Sequence, residues 1–406
     1  MSISTALRRL NDSPHDFQAL CDYVYHEAVY GDRPAAIRRG LQYLDAMPRS
    51  VEMRARTLAL LLPHLEAEAR TAAGLSYYST DDLDELPFIH SRAKAAQMHA
   101  NILEWFERDK SSDAVLNLAA SYFAQHDYVL TDQFLDHVRG KLEHRAAAAH
   151  FTGDWFNGLE AGLAPFVGDL PPVFPVVTDA SVDRRVFVGC DAGYFAKYGV
   201  TMAKSLGKTN AVVHFHIFDS DGTVEAKALD GICQYTMTSE WVRIGAADKA
   251  KFYYAPIRLV RMAALCQDGI PTIMLDADTM CTGSLDGMFE RLENHDAVLC
   301  RMPGRMHFHT QMNASVVGIA PVGLGYLNRV AAYIAKCFRQ GMSPWCLDQI
   351  ALNCTLRNMQ MNGPVNAVAC GPGVYDGTFD CVVNPQKVDE HNPLWPSYQA
   401  ALKELA

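Results

Sequence analysis

PTIMLDADTM, residues 271–280, is the stretch on which the fold turns. An apolar run of strand length, Thr272 to Leu275, ends in two aspartates, Asp276 and Asp278, separated only by Ala277. A strand therefore delivers paired carboxylates to the turn at its end. Two upstream runs share this plan: RRVFVGCD at 184–191 and AVVHFHIFD at 211–219 are short, apolar and finish on Asp, each with helical or turn sequence after it. Strands alternating with helices after Asp183 predict an α/β domain with a mainly parallel, mixed sheet. In such sheets the ligand crevice opens beyond the carboxyl ends of the strands, so functional residues are expected just after the apolar runs.

Upstream the pattern changes. From residue 14 to about 150 apolar positions recur at three and four, as in DFQALCDYVYHEAV, RPAAIRRGLQYLDAM, VEMRARTLALLLPHLEAEA, AKAAQMHANILEWFERD and DAVLNLAASYFAQ, which predicts an all-α domain. Gly31-Asp32, Ala36, Gly40 and Pro48, and less clearly His126-Asp127-Tyr128, match a tetratricopeptide-like helical hairpin, but short repeat patterns match easily and ordinary helix pairs with small residues at their contacts are the favoured reading. Pro165, Pro171, Pro172 and Pro175 then remove backbone donors and fix φ, so neither a helix nor a central strand is expected there. The expected organisation is a helical domain at 1–165, a Pro-rich linker at 166–182 and the α/β domain at 183–406.

Composition narrows the function. At 406 residues, 49% hydrophobic and 20% charged, the chain is long enough for two cores and is not a disordered polymer. A net charge of −10 argues against nucleic acid, whose affinity comes from Lys and Arg displacing counterions. The eleven cysteines are scattered, without zinc spacing, and read as small buried residues in a reducing cytoplasm. MSISTALRRLNDSPHDF lacks a signal-peptide core and no apolar run reaches membrane-span length, so a cytoplasmic location without a membrane span is expected.

Paired carboxylates suit hard divalent cations, Mn²⁺ or Mg²⁺, which bridge to a nucleotide diphosphate. The pattern is common, however, and the chain repeats it. Asp82-Leu83-Asp84 lies in the acidic stretch Ser79 to Glu85 and reads as a solvated turn; Asp219-Ser220-Asp221 ends a strand and reads as a turn built on Asp221-Gly222.

Around Asp276 the C-terminal part resembles glycosyltransferase family 8, the glycogenin-type group of nucleotide-sugar transferases with a GT-A fold. The resemblance runs from Val186 to Trp395 through five segments in family order: VFVGCDAGYFAKYGVTMAKSL, YYAPIRLVRMAAL, IMLDADTMCTGSLDGMF, MNASVVGIAP and CLDQIALN. It implies a retaining hexosyl transfer from a nucleotide-diphosphate sugar, a UDP-sugar first, to an acceptor hydroxyl. It also implies that Asp191 and Tyr194 contact the nucleoside and that Arg258 faces the diphosphate or sugar, with Arg261 a rival one turn later. Asp276, Ala277 and Asp278 form the metal motif, Asn313, Asp348 and Gln349 hold the sugar and acceptor, and His391 in HNPLW is the third metal ligand. Arg258, Asp348 and Gln349 are then the catalytic candidates.

The chain departs from the family pattern at Gly193, where the family often has Asn, at Ser315, where Gly is usual, and after His391, where the phosphate-binding Lys is missing and Lys387 or Lys403 is the nearest substitute. Two other readings stay open. A haloacid-dehalogenase-type phosphatase also starts from a strand ending in Asp-x-Asp, but continues Gly-Thr where this chain has Thr279-Met280. A non-catalytic nucleotide-sugar-binding adaptor would use the helical domain to hold a protein, glycan or second subunit. The acceptor class, glycan, lipid-linked or protein, is open in either case.

Overall fold

The computed structural model describes residues 3–46, 50–75, 83, 86, 88–140, 145–178, 182–242, 247–301, 308–363, 365–369, 382–383 and 395–405. The chain divides into two compact units, Met1–Thr80 with Asp84–Leu142 and Pro303–Phe308, and Asp81–Leu83 with Glu143–Met302 and His309–Ala406.

The first unit holds seven helices among its described residues: α1 (Ile3–Asp12), α2 (Phe17–Tyr30), α3 (Arg33–Ala46), α4 (Val51–Ala72), α5 (Arg92–Arg108), α6 (Ser112–Phe123) and α7 (Tyr128–Arg139). Each packs against the next along the chain. Their starts are written in the sequence. Asp16, Ser50, Ser111 and Asp127 cap α2, α4, α6 and α7 by accepting a hydrogen bond from the backbone N–H three residues on. Ala36 and Gly40 fall on the buried face of α3. The start of α5 is held differently. Fully buried Glu66 of α4 accepts from the backbone N–H of His90 (3.1 Å) and Ser91 (2.8 Å) and pairs with Arg70 (3.2 Å), so one carboxylate satisfies orphan donors from a neighbouring helix.

The second unit carries β1 (Phe174–Val177), β2 (Arg185–Asp191), β3 (Val212–Phe218), β4 (Tyr235–Glu240), β5 (Thr272–Leu275), β6 (Met280–Cys281), β7 (Ala297–Arg301), β8 (Met312–Ile319), β9 (Ala367–Ala369) and β10 (Val382–Val383). Eight of them form one sheet in the order β1-β4-β3-β2-β5-β8-β7-β9, and β10 pairs with β6. β4, β3, β2 and β5 are mutually parallel; β1 and β8 run against the rest. The fold is mixed α/β with a mostly parallel sheet, as the alternation after Asp183 implies. Val186, Phe187 and Val188 in β2 are all buried, the mark of an interior strand covered on both faces. Among the described residues no helix is long and apolar enough to cross a membrane. Burial raises the thiol pKa of Cys266 to about 11 and lifts those of Cys190 and Cys337 too, as inert core cysteines require.

Two expected boundaries move. Residues 145–165, expected in the helical domain, and 166–169, expected in the linker, belong to the α/β unit, and their aromatics dock on its helix Leu324–Arg339. Trp155 and Phe156 meet Tyr333, Phe166 stacks near Phe338, and the Tyr333 hydroxyl accepts from the His150 N–H at 2.8 Å. The expected linker at 166–182 contains β1, antiparallel to β4 at the sheet edge, where a proline is tolerated because an edge strand need not pair on its outer side. Of the acidic stretch Ser79 to Glu85 only Leu83 lies within the described residues. It is buried and its carbonyl accepts from Arg357 at 2.8 Å, so it is not solvated.

Candidate functional site

β2 and β5 are parallel neighbours, with Val186 opposite Ile273 and Phe187 opposite Met274, so their carboxyl ends reach the same sheet edge. Asp191 closes β2, and Asp276 to Asp278 follow β5. Both ends open into a cleft of about 470 Å³ that gathers Asp191, Tyr194, Arg258, Asp276, Ala277, Asp278, Asn313, Asp348 and Gln349. These residues come from β2 and the helical turn Ala192–Tyr194 after it, the helix Ala247–Leu265, the β5 turn, β8 and the start of the helix Leu347–Asn362.

Arg258 organises the floor. Gly189 of β2 lets its helix come close, because a Cβ there would lie 2.8 Å from the Arg258 Cβ. The guanidinium then donates from Nε to the Ala255 carbonyl (3.0 Å), from Nη1 to Asp276 Oδ1, and from Nη2 to the Ala314 carbonyl (3.0 Å) and Asp348 Oδ2 (3.3 Å). Burial opposes its charge, but Asp276 and Asp348 outweigh that and hold its pKa above the ordinary arginine value. Asp348, only 4% exposed, has its pKa raised by burial, against the pull of Arg258 and the Gln349 N–H that it accepts at 2.9 Å. The side chain expected to face a diphosphate is thus bound to two carboxylates, which it aligns. Arg261 points elsewhere, to buried Glu240 and the Pro171 carbonyl (2.8 Å), and does not line the cleft.

Elsewhere in the cleft Asp191 Oδ1 accepts from the Tyr194 N–H at 2.8 Å and so caps the turn that presents Tyr194. The Tyr194 hydroxyl donates to Asp278 Oδ2 at 2.8 Å, and burial together with the Asp278 charge raises the phenol pKa. Asn313 Oδ1 accepts from the backbone and hydroxyl of Ser315, so Ser315 orients the Asn313 amide. With its amide turned to satisfy both carbonyls, Gln349 donates to His309 (3.2 Å) and Met312 (3.0 Å).

The donor set suits a hard cation in part. Asp276 and Asp278 put two carboxylates on one cleft, as Mn²⁺ or Mg²⁺ sharing its remaining positions with phosphate and water requires. Among the described residues no group of three or more His, Cys, Asp and Glu side chains is placed to hold an ion. The expected third ligand, His391, and Lys387 lie outside the described residues. Lys403 lies on the helix Trp395–Leu405, exposed and not among the cleft residues.

No family model matches the chain, and no curated protein does. Among solved structures it is similar to the glycosyltransferase GlyE of Streptococcus pneumoniae TIGR4, at 14% identity and TM-score 0.32 over 47% of this chain and 45% of that one. It is similar also to mouse xyloside xylosyltransferase 1 in its apo form, at 13% identity and TM-score 0.32 over 46% of this chain and 84% of that one. The match thus spans less than half the length of GlyE.

The cleft also contains residues that the sequence reading missed. Tyr254, stacked on Phe218 with ring centroids 5.2 Å apart, has its pKa pushed to about 12 by burial and the nearby Asp219 and Asp191. Trp345 and Cys346 line the cleft just before Asp348. A tryptophan immediately ahead of a helix start, in PWCLDQ, was the available signal.

Proposed function

We propose that the chain is a divalent-metal-dependent glycosyltransferase that moves a hexosyl group from a nucleotide-diphosphate sugar, a UDP-sugar first, to an acceptor hydroxyl with retention. The observation that supports this reading is the single cleft shared by Asp276, Asp278, Arg258 and Asp348 at the end of two parallel strands. Asp276 and Asp278 would hold the cation, which when bound supplies positive charge beside the departing diphosphate. In the transfer, the acceptor oxygen bonds to the anomeric carbon, the bond from that carbon to the phosphate oxygen breaks, and the acceptor proton passes to the departing diphosphate. No side chain is needed as an obligatory base. Arg258 keeps Asp276 and Asp348 aligned, the orienting work on which such sites depend. Asp348 positions the reacting carbon or acts as a transient nucleophile, Gln349 and the oriented amide of Asn313 take sugar hydroxyls, and Asp191 and Tyr194 take the nucleoside.

One observation favours a second reading, the non-catalytic adaptor. Asp276 and Asp278 are both already engaged by protein groups, Arg258 and Tyr194. Incubation with UDP-glucose or UDP-galactose and Mn²⁺ separates the two, with Asp276→Ala as control. Slow release of UDP by the native protein supports the transferase; binding without release leaves the adaptor.

A further inference from the structure

Two cleft aromatics face solvent, Tyr194 at 37% and Trp345 at 47% exposure. Tyr194 is tied through its hydroxyl to Asp278. Trp345 offers a broad, mainly apolar ring, and such a surface left in water is costly until a ligand covers it. It is also held in place. Its ring meets Phe252 at 87° with centroids 6.0 Å apart, and Ser343, two residues earlier, donates to the Phe252 carbonyl at 2.6 Å. The next residue, Cys346, adopts φ 72°, a left-handed conformation uncommon outside glycine. Beyond it the helix Leu347–Asn362 takes Asp348 into the buried floor. One strained turn therefore places an exposed flat plate and a buried carboxylate in the same cleft, and strain of this kind gathers at ligand clamps.

We propose that Trp345 is the acceptor-side platform of the cleft, stacking against the C–H face of a pyranose so that a hydroxyl of that sugar turns toward Asp348; the acceptor is a saccharide. This rests on the transferase reading above. A pyranose has one apolar face and a rim of hydroxyls, and here one apolar plate stands among hydrogen-bonding groups, Asp348, Gln349 and Asn313. A lipid chain would need a continuous apolar groove, and this cleft carries the carboxylates of Asp276, Asp278 and Asp348 instead.

The full chain, with UDP and Mn²⁺, is applied to a printed glycan array and the retained glycans are titrated. Native protein is expected to retain glycans that share one terminal pyranose. Trp345→Ala should weaken them about tenfold or more, with UDP affinity by calorimetry held within about twofold. Trp345→Phe should recover most of the loss. Trp345→Leu, which keeps apolar bulk without the flat face, should repeat it if the alanine variant melts early. No retained glycan, retention by Trp345→Ala and Trp345→Leu equal to that of the native protein, or a parallel loss of UDP that makes the ring a nucleoside platform would each overturn the proposal. Native protein that holds glycans but not UDP would instead end the transferase reading and leave the platform standing.

Discussion

The ends of β3 and β5 carry the same pattern and do opposite things with it. After β3, Asp219 takes φ 59° and Gly222 takes φ 75°, Asp221 Oδ1 accepts from the Thr223 N–H at 3.0 Å, and the Ser220 hydroxyl accepts from Gly222 N at 2.9 Å. These polar groups turn back on their own chain and start the short helix Thr223–Ala228, as its Asp-Gly predicts. After β5, Asp276 and Asp278 meet Arg258 and Tyr194, which arrive from other elements. An Asp-x-Asp stays a turn when nearby backbone donors consume its oxygens. It becomes a site when distant side chains face it across a cleft.

Removing the distant partner should break this contrast most severely. Arg258→Met leaves Asp276 and Asp348 with no cation between them, so unfolding in urea should show a loss of about 3–5 kcal/mol, accompanied by loss of UDP binding. Asp278→Asn should keep the fold and lower Mn²⁺-dependent UDP affinity by more than about 100-fold in calorimetry, beyond what disturbing an outer partner of a metal does. Asp221→Asn, the matching change after β3, should leave that affinity within about twofold; a comparable loss would erase the distinction between the two strand ends. Gly222→Val should cost about 1–2 kcal/mol by thermal melting and leave UDP affinity alone, because a Cβ would be forced into a left-handed conformation 2.7 Å from Val176 Cγ2.

The last effect is a titration within β3 itself. Burial, with the neighbouring charges of His216 and Arg185, lowers the His214 pKa to about 3, from 6.5 for the exposed side chain. Between those values the unfolded chain binds a proton that the folded chain refuses, so stability is full above pH 6.5 and falls as pH drops toward 3. Urea midpoints should decline across that window in the native protein and decline less in His214→Gln.

The legible parts were the local ones. β2, β3 and β5 announce themselves as apolar runs ending in Asp, and the seven-helix unit shows its periodicity and most of its caps. β1 was hidden because Pro175 argues against a central strand and says nothing against an edge. Residues 145–165 read as part of the helical domain because nothing local shows that Trp155 docks on a residue nearly 180 positions later. Within the cleft, residue types could be read but not their bonds. Arg258 matched a phosphate-facing arginine and is found between two carboxylates, an arrangement three separate segments make only when folded.

The two margins of the large sheet have a practical consequence. β1 is four residues long with a proline and a register shift against β4, and β9 is three residues long. Short, interrupted borders give an incoming strand little backbone to zip onto, and so discourage the edge-to-edge joining of sheets that turns concentrated proteins into aggregates.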